Sequence, residues 1–131
     1  MQSQSFQKDQ RLSSQKIIDQ LFKSGHRFTL FPFLVVWLPV ELKSSSSIQI
    51  LISVSKKNFK KAVDRNLIKR RIREAYRKNK QHYSDDADMK AKQYAIGIIY
   101  IGSEILSYKE VEEKIILVLQ RLQKEHEKTV G

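Results

Sequence analysis

At 131 residues, with Lys+Arg 25 against Asp+Glu 14, the chain has the size of one domain and a formal charge of +11. Its hydrophobic content of 40% is enough for a core and excludes a wholly disordered basic tail. The absence of cysteine excludes disulfides and thiolate metal sites, while the basic balance points to a polyanionic partner, nucleic acid first and an acidic membrane surface second.

Residues 1–10, MQSQSFQKDQ, are polar and lack the apolar run of a secretory signal, with Phe6 the one candidate anchor. They read as a flexible segment ahead of a single domain at 11–127. Ser13 or Ser14 can cap a first helix with Ile17, Ile18, Leu21 and Phe22 inward, and Gly25 suits its end. Residues 27–38 are β-rich and interrupted by Pro32, so they form either two short strands or one bent strand. The longest apolar run, near 30–40, holds two prolines and is too short to span a bilayer. ELKSSSS at 41–47 is a connection. In the next strand Ile48, Ile50, Ile52 and Val54 face one way, and Gln49, Leu51, Ser53 and Ser55 face the other, more polar side.

The charge is concentrated in the next stretch. Residues 56–80 contain 12 Lys/Arg against Asp64 and Glu74, which is +10 of the chain's +11. Asp64 is a candidate N-cap for a helix whose core stripe is Ile68, Ile72 and Ala75. Arg65, Lys69, Arg73 and Tyr76 lie along the adjacent flank, and Asn66, Arg70 and Arg77 continue outward. A solvated structural helix would intersperse acids at i±4, and Glu74 stands alone in that role. Arg65 in the first turn also opposes the helix dipole, a broken local rule that points to polyanion binding.

QHYSDDADMKAK at 81–92 reads as a polar loop; Asp85, Asp86 and Asp88 lack the glycine and distal glutamate of a Ca²⁺ loop. QYAIGIIYI at 93–101 suits a central buried strand. Ser107 and Glu110 form a capping box for a last helix with Val111, Ile115, Val118 and Leu122 inward. The terminal EHEKTVG is expected to fray, with residues 128–131 outside the domain. No catalytic signature accompanies His26, His82 or His126, and no P-loop, dinucleotide-binding or H-E-x-x-H motif occurs.

SVSKKNFKKAVDRNLIKRRIREAYR resembles the signature of the bacterial ribonuclease P protein subunit, the small basic partner of a catalytic RNA. RLSSQKIIDQLFKSG resembles that family's first helix, and QYAIGIIYIG with SYKEVEEKIILVLQRL its last strand and helix, so the resemblance covers roughly residues 6–125. It implies an α/β (α+β) two-layer sandwich of order α-β-β-β-α-β-α, with a left-handed βαβ crossover through the basic helix that the general right-handed rule would not suggest. It implies a cytoplasmic, non-catalytic subunit of an endoribonuclease that removes the 5′ leader of precursor tRNA. The RNA carries the chemistry with Mg²⁺, no protein residue is assigned to the metal, and neither a membrane nor DNA is a partner.

By position, Arg65, Asn66, Lys69, Arg70, Arg73 and Arg77 match the helix that meets the catalytic RNA. Phe22, Ser53, Ser55, Lys56 and Lys57 match the cleft that takes the leader. Cations neutralise phosphates with little sequence preference, and an aromatic ring stacks on any base, which suits a leader that differs in every precursor. Three positions depart from the family pattern. Leu67 replaces a common arginine, with Arg71 the nearest substitute. Ile18 replaces a common aromatic, leaving stacking to Phe22 with Phe33 or Trp37 as further candidates. The lysines are not followed by the glycine of some members. A ribosomal-type structural RNA-binding protein is the alternative, distinguished by co-purification with ribosomal particles. A stand-alone nuclease would need to cut RNA unaided.

Overall fold

The computed structural model describes residues 11–41, 48–84 and 93–130. The elements are α1 (Gln15–Ser24), β1 (His26–Leu30), β2 (Phe33–Pro39), β3 (Ile48–Val54), α2 (Ala62–Ser84), β4 (Tyr94–Tyr100) and α3 (Tyr108–Val130). This is the α-β-β-β-α-β-α order that the resemblance implies. The readings of residues 1–10, of the 42–47 connection and of Asp85, Asp86 and Asp88 lie outside the described residues.

The β-rich run forms two strands. A cis Phe31–Pro32 bond sits in the turn, and Leu30 lies opposite Phe33 in an antiparallel hairpin. The sheet order is β1-β2-β4-β3, with β4 antiparallel to β2 and parallel to β3. Parallel neighbours need a crossover, and α2 is that connection. A strand between two partners and two covered faces must be apolar throughout, and β4 is.

One face carries the main core. Phe33, Val35 and Trp37, Ile48, Ile50 and Val54, and Tyr94, Ile96, Ile98 and Tyr100 pack beneath α2 and α3. Ile68, Ile72 and Ala75 are the inward stripe of α2 as the wheel predicts, and α3 contributes Val111, Ile115, Val118 and Leu122. Tyr76 corrects the reading that placed it on the basic flank. It is 3% exposed, because aromatic area at the seam is worth more buried than solvated, and that burial raises its phenol pKa.

The opposite face is not simply polar. α1 packs on it through Leu21, with Ile17, Ile18 and Phe22, against Val36, Ala95, Leu51 and Ile99. The face of β3 read as polar therefore contributes Leu51 to a second apolar cluster. Ser14 is the α1 cap, its Oγ accepting from the Ile17 amide at 3.4 Å. Gly25 ends the helix with φ −70°, so conformational freedom is not its reason. A Cβ there would lie 2.4 Å from the Leu21 carbonyl oxygen and 2.8 Å from Val36 Cγ1, so glycine is required by close approach.

Three boundaries differ from expectation. α2 begins at Ala62, so Asp64 is not its N-cap. The Lys61 carbonyl accepts from the Asp64 and Arg65 amides, and Asp64 stays in the first turn where its carboxylate complements the dipole. At the other end α2 runs through Ser84 into the stretch read as a loop at 81, since no glycine or proline interrupts 62–84. The EHEKTVG terminus is helical through Val130, and the completely buried His126 anchors it. The capping box at the start of α3 is present: the Glu110 amide donates to Ser107 Oγ at 3.2 Å, and the Ser107 amide donates to Glu110 Oε1 at 3.1 Å.

Candidate nucleic-acid interface

The cations of α2 divide into two kinds. Asn66, Arg70 and Arg73 are exposed and Lys69 is half-buried. Among the described residues, none of these four is tied to a carboxylate or carbonyl neighbour. Arg65 and Arg77 are engaged. Arg65 Nη1 donates to the Phe59 carbonyl at 2.7 Å and the Lys60 carbonyl at 3.0 Å. Arg77 grips Glu74 through Nε–Oε1 at 3.0 Å and Nη2–Oε2 at 2.5 Å, a bond that holds the Glu74 carboxyl below its usual range and raises Arg77. Arg71, the substitute considered for the missing arginine at Leu67, is half-buried and donates to the Leu106 carbonyl, joining α2 to the loop before α3. It is a structural tie.

Sequence reasoning missed Arg11. The Leu12 amide donates to the Ile50 carbonyl at 3.0 Å, and Arg11 bridges to Ile50 along the open edge of β3. There its charge, second to partial burial, lowers the Arg73 pKa. The basic row of α2 therefore continues onto the sheet edge. A single arginine ahead of α1 gave no periodic signal from which to infer this.

The connection from β3 to α2 carries Lys56, Lys57, Lys60 and Lys61, all exposed. Its shape needs no glycine. The Lys57 amide donates to Ser55 Oγ at 3.1 Å, the Phe59 amide donates to the Ser55 carbonyl at 3.1 Å, and the Phe59 ring is buried as a plug. Asn58 Nδ2 donates to the Ile101 and Gly102 carbonyls, both at 3.3 Å.

Beside α1, the second sheet face provides a track. Phe22 is half-buried with its ring over β4: Cζ lies 3.9 Å from where a Cβ on Gly97 would sit. The next row across the sheet pairs Leu34 with Ile99 and Ile99 with Ser53, all half-buried, and leads to Ser55 and the exposed Lys56 and Lys57. Arg27 joins the same face, its Nη2 donating to the Phe22 carbonyl at 2.5 Å at the end of α1. Leu34, Ile99 and Arg27 were not singled out from sequence, because strand alternation does not say which rows a helix leaves open. Phe33 and Trp37 do not belong here. Both are buried in the main core on the opposite face, with Trp37 stacked on His26 at 4.4 Å.

Among the described residues, no group of three or more His, Cys, Asp or Glu is placed to hold a metal ion. On the basic helix, Glu74 is already paired with Arg77. Nor is any described helix long and apolar enough to cross a membrane. The arrangement is a cationic helix and loop beside a half-apolar sheet face, suited to phosphates on one side and unpaired bases on the other.

A family model described as Ribonuclease P matches residues 6–123. A ribonuclease P protein component of Porphyromonas gingivalis is 36% identical over 117 residues, covering 88% of this chain and 84% of the relative. That of Dictyoglomus turgidum is 32% identical over 118 residues, covering 88% and 91%. Among solved structures, the RNase P protein of Staphylococcus aureus matches with a TM-score of 0.67 at 26% identity, over 86% of this chain and 94% of that one. The RNase P protein of Thermotoga maritima gives 0.68 at 26% identity, over 85% and 96%. The chain belongs to the ribonuclease P protein family, the protein component of an RNA–protein endoribonuclease, and ribonuclease P RNA is its partner.

Proposed function

We propose that α2 and the Lys60–Lys61 end of the connection hold the catalytic RNA, while the sheet face beside α1, with Lys56 and Lys57 at its end, takes the 5′ leader of precursor tRNA. The observation that carries this is the separation of the two surfaces. Among the described residues, Asn66, Lys69, Arg70 and Arg73 stand on the helix without carboxylate partners, and Phe22, Leu34, Ile99 and Ser53 line a half-apolar track that ends at Lys56 and Lys57. Phosphate neutralisation on the helix gives affinity without base reading. Stacking on Phe22 is worth about 1–3 kcal/mol per base and tolerates any leader sequence. Ser53 and Ser55 add hydroxyls beside that path. On this reading the protein promotes 5′ maturation in the cytoplasm without a catalytic side chain, and the Mg²⁺ is held by the RNA.

Reconstitution with the organism's own ribonuclease P RNA tests the proposal. The protein should raise precursor-tRNA cleavage at low Mg²⁺; no gain over the RNA alone would sink it. Phe22→Leu preserves packing and removes the stacking surface. It should weaken binding of precursor tRNA and leave mature tRNA, which has no leader, unaffected.

A further inference from the structure

We propose that Arg65 is a positioning residue: its guanidinium ties down the 56–61 connection so that Lys60 and Lys61 face the catalytic RNA together, and it does not itself contact phosphate. The inference rests on the RNA-binding reading of that connection. Arg65 is half-buried in the first turn of α2, where a cation opposes the helix dipole. Nη1 has two N–H bonds, and both are used, on the Phe59 and Lys60 carbonyls at 2.7 and 3.0 Å. The residues it grips are those that must hold a tight turn against self-repulsion, since positions 56–61 contain four lysines and no acid. The bonds from the Phe59 amide to Ser55 and from Asn58 to Ile101 and Gly102 lie at the turn's start and outer side, and the Asp64 and Arg65 amides hold its end at the Lys61 carbonyl. Among the described residues, Arg65 supplies the side chain of α2 that grips its middle, at Phe59 and Lys60. Lysine cannot reproduce a planar guanidinium between two carbonyls, so charge alone does not satisfy the site.

The test has one arm without RNA and one with it. By amide hydrogen exchange on the free protein, Arg65→Lys and Arg65→Gln should speed exchange at Phe59 severalfold, while Arg70→Ala leaves it unchanged. In salt-dependent binding of ribonuclease P RNA, Arg70→Ala should lower the slope by the one contact it removes, about 0.7–0.9. Arg65→Lys, with its charge retained, should lower the slope by more than that, because both lysines lose register together. On a background with Lys60 and Lys61 both changed to Gln, Arg65→Lys should add little further loss. Native exchange and native binding for Arg65→Lys would overturn the proposal. So would a one-contact loss for Arg65→Gln that adds in full to the lysine double change. The lysine pair is exposed, so the comparison with Arg65→Lys survives if Arg65→Gln fails to fold. Failure of the native protein to bind the RNA would instead overturn the RNA-binding reading, and the exchange arm would still decide whether Arg65 holds the turn.

Discussion

Acidification should weaken this fold through one residue, His126. Its ring is fully buried, stacked on Tyr94 at 3.8 Å and edge-on to Trp37 at 4.3 Å, and His26 stacks on the same Trp37. Burial first, and the charge of His26 second, lower its pKa from 6.5 to about 3. In the unfolded chain it takes a proton near 6.5; in the folded chain it does not. Because the folded value is the depressed one, stability is complete above the unfolded pKa and falls as pH drops below it. The slope is about 1.4 kcal/mol per pH unit for one proton, which integrates to about 2 kcal/mol between pH 7 and pH 5. Any folded value below about 4 gives the same loss, so the outcome does not depend on the depth of the shift. For a domain of this size the unfolding midpoint should fall by about 5–10 °C. His126→Phe keeps an aromatic ring in the stack and removes the titration, so its midpoint should move less over the same range. Thermal unfolding of both proteins at pH 7, 6 and 5 measures the difference. Equal losses in the two would refute the reasoning.

Other outcomes follow from the same geometry. Arg73→Ala should weaken binding of ribonuclease P RNA and lower the slope of log affinity against log salt by about 0.7–0.9; an unchanged slope would place that side chain away from the RNA. Gly25→Ala should cost about 1–3 kcal/mol in denaturant unfolding, since the added carbon meets the Leu21 carbonyl at 2.4 Å and backbone must shift. Ser107→Ala should cost about 1 kcal/mol by removing the cap of α3, and it should speed amide exchange in that first turn while leaving α2 unaffected.

Much of the fold was legible because its signals are local or periodic. The stripe of Ile68, Ile72 and Ala75, the alternation from Ile48 to Val54, and the Ser107–Glu110 box each need only a few neighbouring residues to be recognised. Where the reading failed, the deciding partner was distant in sequence. His126 holds the last helix because Tyr94 and Trp37 wait for it on two strands, and Phe33 and Trp37 leave the leader track because the register of β2 turns them into the main core. Gly25 was placed correctly at a helix end, but part of its reason, the approach of Val36 beside that of the Leu21 carbonyl, belongs to a strand eleven residues on.

The basic helix shows the same limit in its sharpest form. Counting charge finds +10 in residues 56–80, and a helical wheel sorts those charges by direction. Neither says which cations the protein already uses. Arg65 is spent on the Phe59 and Lys60 carbonyls, Arg71 on Leu106 and Arg77 on Glu74, so three of the arginines in the motif hold the protein together. Arg70 and Arg73, which have no such partner among the described residues, and Arg11, brought beside Arg73 by the edge of β3, complete the outward row. An arginine-rich motif is therefore a mixture of ligands and struts, and the carbonyl oxygens within reach, invisible in a residue string, decide which is which.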